Sequence, residues 1–197
     1  MCKFYMVRSN NNGFFWNCRS NKKMKKLIIL TPLILLLVIC IFILLYLLNG
    51  KDPNKPPSVL INKNTPLFKT VSLYDLNKNI ITKDLKDKKV LINFFASWCL
   101  PCKVEHPLFF DLSKEFPDLY ILGFNHKDKA EDAKNYLLEE GNPYDLIGVD
   151  SDGMIALEFG VFGLPETFLI NEKGKIIYKF MGPLTKEIIK NEIKPLL

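Results

Sequence analysis

Two cysteines separated by Leu100-Pro101 follow the apolar run Val90–Phe95, within the stretch FFASWCLPCKVEHP at residues 94–107. A strand running directly into a helix would put Cys99 at the helix N-terminus, where unpaired amides and the helix dipole lower a thiol's pKa. Thiolate is the nucleophilic form. One helical turn would bring Cys102 close enough to form or open a disulfide with Cys99, so the pair can carry two electrons. Pro101 is tolerated there because the first helical amides have no intrahelical acceptor. A zinc site would need a second cysteine or histidine pair, and His106 completes only a three-ligand set. A static structural disulfide gains little by closing so short a loop. The residues themselves favour a redox-active dithiol.

The elements that must hold this pair follow from periodicity. Val90–Phe95 is apolar enough for a strand buried on both faces, and residues 102–116 carry a helical pattern. Further strands are expected at 68–74, 119–124, 144–149, 167–170 and 175–180. Helices are expected at 129–140 and 152–159, with a closing helix from Thr185. Strands alternating with helices argue an α/β fold, and the last two strands, joined by Asn171-Glu172-Lys173-Gly174, add an antiparallel hairpin. Phe94, Phe95, Phe109, Phe110, Phe124 and Phe168 are assigned to the core.

Of the 27 basic residues, seven lie in the first 26 positions without an acid among them, leaving 20 bases against 21 acids in the rest. A near-neutral body lacks the clustered charge that phosphate binding needs, so nucleic acid is set aside as a partner. Residues 27–48, LIILTPLILLLVICIFILLYLL, contain no charge and are long enough to cross a hydrocarbon core of about 30 Å. The run exceeds the apolar region of a signal peptide and lacks a small-residue cleavage site, while Ile39 before Cys40 argues against lipoprotein processing. It reads as an uncleaved single-pass anchor. The lysines at 22–26 place the N-terminus in the cytoplasm and everything after the anchor outside, which in a bacterium is the periplasm. Of the five cysteines, only Cys99 and Cys102 then meet an oxidising compartment. The expected organisation is a basic cytoplasmic tail at 1–26, with Met24 an equally acceptable start, the anchor at 27–48, a linker at 49–58 and one domain at 59–197.

Trp98-Cys99-Leu100-Pro101-Cys102 resembles the active site of thioredoxins, Pro107 matches the proline of their active-site helix, and Gly163-Leu164-Pro165 matches the loop carrying their cis-proline. More narrowly, Ala96-Ser97-Trp98-Cys99, Glu105-His106-Pro107, Gly141-Asn142-Pro143-Tyr144, GVFGLPETF at 160–168 and Gly182-Pro183-Leu184 resemble the membrane-anchored thioredoxins of bacterial cytochrome c maturation, the CcmG or DsbE type. The similarity runs over about residues 60–197 and includes the anchor. It implies a thioredoxin fold, a central mixed sheet flanked by helices with an extra helix-strand insertion. It implies a thiol:disulfide oxidoreductase without cofactor or metal, using a Cys99–Cys102 redox disulfide, with substrate contacts from Trp98, Leu164, Pro165 and Glu166. The implied target is the disulfide of apocytochrome c, reached directly or through a CcmH-like partner and reduced before haem attachment. A membrane thiol transporter of the DsbD or CcdA type is the implied electron donor in the bacterial inner membrane. Leu100-Pro101 lacks the histidine that stabilises the thiolate in periplasmic oxidants, which favours a reductant. A broader TlpA-like periplasmic reductase, or a copper-handling or docking protein on the same fold, is also compatible with these residues.

One position departs from ordinary thioredoxins. They carry a buried aspartate six residues before the first active-site cysteine, whereas Asn93 stands there in this chain, and an amide cannot accept that proton. Glu105, three residues beyond Cys102, and Glu166, beside Pro165, match acidic positions of the resembled family, and either could substitute. Glu105 is the preferred candidate to help deprotonate Cys102, with its own pKa raised by burial. His106 and His126 are expected at the surface.

Overall fold

The structure is a computed structural model that describes residues 3–8, 14–19, 22–48 and 60–197. The chain divides into two compact units, Met1–Lys51 and Asp52–Leu197. In the first, β1 (Lys3–Arg8) and β2 (Phe14–Arg19) pair antiparallel, with Lys3 opposite Arg19. No strand was expected there, yet both segments are rich in aromatic and β-branched residues such as Tyr5, Val7, Phe15 and Trp16, which favour pairing. Helix α1 (Lys22–Leu48) contains Pro32, and its window Leu30–Leu47 has a mean hydropathy of 3.0 with its side chains exposed. This helix is long and apolar enough to span a bilayer. The linker expected at 49–58 lies outside the described residues.

The second unit is built on a five-stranded sheet in the order β7-β6-β5-β8-β9. Its strands are β5 (Val90–Phe95), β6 (Tyr120–His126), β7 (Leu146–Asp150), β8 (Glu166–Ile170) and β9 (Ile176–Met181). The first three run parallel, while β8 is antiparallel to both β5 and β9. A short antiparallel pair, β3 (Lys69–Val71) and β4 (Asn79–Ile81), precedes the sheet. The helices are α2 (Leu100–Glu115), α3 (Ala130–Glu140), α4 (Met154–Glu158) and α5 (Lys186–Ile188), the last continuing through a π turn at Ile189–Ile193. The mixed sheet flanked by helices agrees with the expected α/β class. The pair α3 and β7 forms a helix-strand unit at the sheet edge.

Strand alternation divides the core into two layers. Leu91 and Phe95 pack with Phe109, Leu112, Ile121 and Leu169 on the α2 side. Val90, Ile92 and Phe94 pack with Leu122, Phe124 and Phe168 on the other. That second layer is aromatic: Phe94 stacks on Phe124 at 5.1 Å between ring centroids, and Phe68 meets Phe124 edge-on at 5.0 Å. Each buried ring contributes about 1.5–3 kcal/mol through the surface it removes from water. Asn93 has the parity of Leu91 and Phe95, so the alternation aims its polar side chain at α2. Phe110 is only partly buried, unlike the other phenylalanines assigned to the core.

The strand expected at 68–74 is shorter, and the one expected at 144–149 starts at Leu146. In the latter case the Asn142 side chain captures the Tyr144 N–H at 3.0 Å, and backbone bonding to the neighbouring strand begins only at the Asp145 N–H, 2.9 Å from the Ile121 carbonyl.

Candidate active site

Cys99 is the N-cap of α2, and its Sγ accepts a hydrogen bond from the Cys102 N–H at 3.2 Å. The two cysteines form a disulfide, with their Cα atoms 5.3 Å apart, and both are nearly buried. Trp98 and Leu100, 62% and 73% exposed, flank the bond at the surface. On reduction, the Cys99 sulfur would face the free amides of the first helical turn, the setting in which a thiolate is stabilised.

The turn before α2 is tied down by a residue that sequence reasoning missed. Asp128 accepts the Ser97 N–H at 2.7 Å and the Ser97 hydroxyl at 3.0 Å. The same carboxylate accepts from the Asn125 side chain and the Lys129 N–H, both at 2.9 Å. Trp98 Nε1–H donates to the Lys127 carbonyl at 3.2 Å. In sequence, Asp128 is one acid between two lysines, and only the packing of the β6–α3 connection against the Cys99 turn reveals its role.

One turn into α2 lies a wholly buried polar network. Glu105 is fully buried, and its Oε1 accepts from Asn93 Nδ2 at 2.8 Å while its Oε2 accepts from the Leu184 N–H at 2.7 Å. Asn93 Nδ2 also donates to Thr167 Oγ1 at 3.2 Å, and Asn93 Oδ1 accepts from the Tyr144 hydroxyl at 2.9 Å. Burial pushes the Glu105 carboxyl up to about 8, against the opposing pull of the Leu184 and Asn93 donors. Burial likewise holds the Tyr144 phenol well above its ordinary value, reinforced by the charge of Glu105, so Tyr144 remains protonated. Glu105 therefore makes no surface pair with Lys103 or Lys114. Spaced three apart on α2, Cys102 and Glu105 occupy neighbouring positions of one helix face.

Both histidines depart from the surface expectation. His106 is buried, with Nε2 2.9 Å from the Gly141 carbonyl and its ring edge-on to Phe110. A carbonyl can only accept, so Nε2 carries the proton, and burial lowers the His106 pKa. His126 is largely covered, its Nδ1 2.7 Å from Asp150 Oδ2. Aromatic stacking around one histidine and a buried carboxylate beside the other account for their position.

The Leu164–Pro165 peptide bond is cis. Because Phe94 pairs with Glu166 across the β5–β8 ladder, Pro165 falls at the sheet end from which β5 runs into the Cys99 turn. Glu166 itself points away from the cysteine layer. It has the parity of Phe168 and Ile170, and its Oε1 forms a buried ion pair with Lys179 Nζ at 2.7 Å. Its Oε2 accepts from the Phe162 N–H at 3.0 Å, and Lys179 donates to the Gly160 carbonyl at 2.7 Å. Burial raises the Glu166 pKa while Lys179 opposes the shift. The pair thus clamps the loop before Pro165 from below. The two acids left open by the sequence therefore sit on opposite faces of the sheet, and only Glu105 shares a layer with Cys102. Phe162, at the apex of the clamped loop, is exposed and lines a shallow pocket of about 270 Å³ with His126, Gly153 and Leu157.

Residues 61–195 match the Redoxin family. The thiol:disulfide interchange protein HelX of Rhodobacter capsulatus is 38% identical over 153 residues, covering 77% of this chain and 85% of that protein. The thiol:disulfide interchange protein DsbE of Escherichia coli K12 is 40% identical over 151 residues, covering 75% of this chain and 79% of that protein. The crystal structure of a DsbF homologue from Corynebacterium diphtheriae superposes with a TM-score of 0.62 at 18% identity, covering 74% of this chain and 96% of that one. That likeness shows the thioredoxin-like fold.

Proposed function

This chain is a thiol:disulfide oxidoreductase of the Redoxin family, and from that premise we propose that it reduces protein disulfides at the outer face of the bacterial inner membrane during cytochrome c maturation. The observation that carries the reading is the Cys99–Cys102 disulfide at the N-terminus of α2, at the sheet end where the cis Leu164–Pro165 bond also lies. In this reading α1 is the anchor, residues 1–26 are cytoplasmic, and residues 59–197 form the periplasmic catalytic domain. Trp98, Leu164 and Pro165 contact the substrate, and Glu166 shapes the loop that presents them. The target is the disulfide of apocytochrome c, directly or through a CcmH-like partner.

Reduction proceeds in two exchanges. The Cys99 thiolate attacks one sulfur of the target disulfide, forming a mixed disulfide and releasing the other target sulfur as a thiolate. Cys102 gives its proton to the Glu105 carboxylate and attacks Cys99 Sγ, re-forming the Cys99–Cys102 bond and expelling the second target thiolate. The target gains two electrons and the enzyme loses two. A membrane thiol transporter of the DsbD or CcdA type restores the dithiol. Leu100 and Pro101 bring no charge or side-chain donor to the Cys99 thiolate, so the disulfide is not favoured as an oxidant.

Replacing Cys102 with Ser in the full-length chain removes the resolving thiol and leaves target proteins bound to Cys99. Recovery of an apocytochrome c or its assembly partner in these mixed disulfides is the expected outcome. Recovery of unrelated thiol proteins alone would replace the reading with that of a broad TlpA-like reductase.

A further inference from the structure

We propose that Tyr144 is a positioning residue for the proton acceptor: its phenol orients the Asn93 side-chain amide so that the N–H end, and not the carbonyl end, faces the Glu105 carboxyl. The inference rests on the reading that Glu105 takes the proton of Cys102, and it adds a residue that touches neither sulfur.

The argument begins with the two ends of the amide. An asparagine side chain offers donors at one end and acceptor lone pairs at the other, and a buried one must satisfy both. Thr167 Oγ1, 3.2 Å from Asn93 Nδ2, can accept or donate, so it does not choose between the two orientations. Tyr144 does. Its hydroxyl lies 2.9 Å from Asn93 Oδ1, and a buried phenol is a much better donor than acceptor, so it holds the carbonyl end toward itself. The N–H end then meets Glu105 Oε1 at 2.8 Å, while the Leu184 amide, which can only donate, meets Oε2 at 2.7 Å. Both carboxyl oxygens thereby receive donors, the pattern that favours the ionised form.

The groups around Glu105 make this orientation decisive. Cys102 and His106 flank it on α2, Tyr136 faces it from α3, and Tyr144 from the segment before β7. His106 packs against both tyrosines, at 5.0 and 6.1 Å between ring centroids, and its burial lowers its pKa, disfavouring the charged form. Lys103 lies over the Tyr136 ring at 5.3 Å. Among the described residues, no cation forms an ion pair with Glu105, so its carboxylate depends on those two hydrogen bonds. With the amide reversed, a carbonyl would face Oε1, and only a protonated carboxyl could satisfy it. Such a carboxyl cannot accept the Cys102 proton.

Tyr144→Phe removes one oxygen and keeps the ring that stacks on Phe95 at 4.9 Å, so the fold is retained. The full-length chain in detergent micelles is loaded on Cys99 with thionitrobenzoate at about pH 4, where Cys102 is protonated, and then jumped to a series of higher pH values. Release of the coloured thiol reads the attack of Cys102 on Cys99. Tyr144→Phe is expected to move the midpoint of the rate profile upward by about one pH unit, a roughly tenfold slower release near neutrality, with the high-pH plateau unchanged. Added to Glu105→Gln, the same substitution should shift nothing further. If Glu105→Gln moves the profile and Tyr144→Phe leaves its midpoint in place, or lowers only the plateau, the inference falls and the reading of Glu105 stands. If Glu105→Gln behaves as the unaltered protein, both fall.

Discussion

Asn93 hands an amide hydrogen to the buried carboxyl of Glu105 across 2.8 Å, joining the middle of the central strand to the active-site helix one turn beyond Cys102. The amide that stands where thioredoxins carry an acid is therefore the acid's partner. In this chain a buried acid, Glu105, stands on the helix instead, and the strand residue donates a hydrogen bond to it.

This displacement makes stability depend on pH in a defined direction. Glu105 titrates near 4.5 when unperturbed and near 8 in the folded chain. Between those values the folded state holds a proton that the unfolded state has released, so stability contributed at this site is full below about pH 4.5 and declines as the pH rises toward 8. Glu105→Gln should abolish that decline. Urea unfolding of the oxidised full-length chain at pH 5 and pH 8.5 should show a smaller loss in the variant, by a few kcal/mol. Parallel pH dependence in the two proteins would refute it.

Lys179 and Glu166 are both buried, so removing one charge strands the other. Lys179→Met should destabilise the fold by roughly 3–5 kcal/mol, while Lys179→Met with Glu166→Gln should recover much of that loss because no unpaired charge remains. Chemical denaturation of the three proteins measures it. Equal destabilisation in the single and double variants would show that the ion pair is not the clamp on the Gly160 and Phe162 backbone.

Asp128 collects four hydrogen bonds, two of them from Ser97. Asp128→Ala should cost about 1–3 kcal/mol through donors left without a partner. It should also slow disulfide reduction roughly tenfold, since the turn presenting Trp98 and Cys99 loses its tether. Turnover of a disulfide-bonded peptide decides the second point: an unchanged rate would reduce Asp128 to a purely structural role.

Gly123 lies beside Asn93 in the sheet, and a Cβ there would meet Phe95 Cε1 at 2.9 Å and Tyr144 Cδ1 at 3.0 Å. Gly123→Ala should destabilise by about 1–3 kcal/mol through overpacking. By pushing the Tyr144 ring it should also move the pH midpoint of Cys102 attack in the direction expected for Tyr144→Phe. A stability loss with an unmoved midpoint would show that the ring adjusts without carrying its hydroxyl away from Asn93.

Much of this protein was legible before any fold was known. Two thiols at this spacing after an apolar strand define a dithiol, because their chemistry depends on local distance and on the helix that begins between them. Period-2 and helical patterns located the main strands and helices because burial of one face dictates them. The apolar run at 27–48 declared itself by length alone. Glu105 and Glu166, by contrast, both match acidic positions in sequence; Glu105 is preferred there, but nothing local fixes the surroundings of either. Only the parity of β8 against β5 put Glu166 beside Lys179 and left Glu105 in the layer of Cys102. The contacts of Asp128 with Ser97, of Tyr144 with Asn93 and of His106 with Gly141 span 31 to 51 residues, beyond the reach of any local pattern. Sequence by itself determined the reacting atoms, whose pairing is set within one helical turn. The tertiary structure decided the surroundings of each acid, because desolvation and hydrogen-bond orientation arise only when distant segments close around a carboxyl and exclude water.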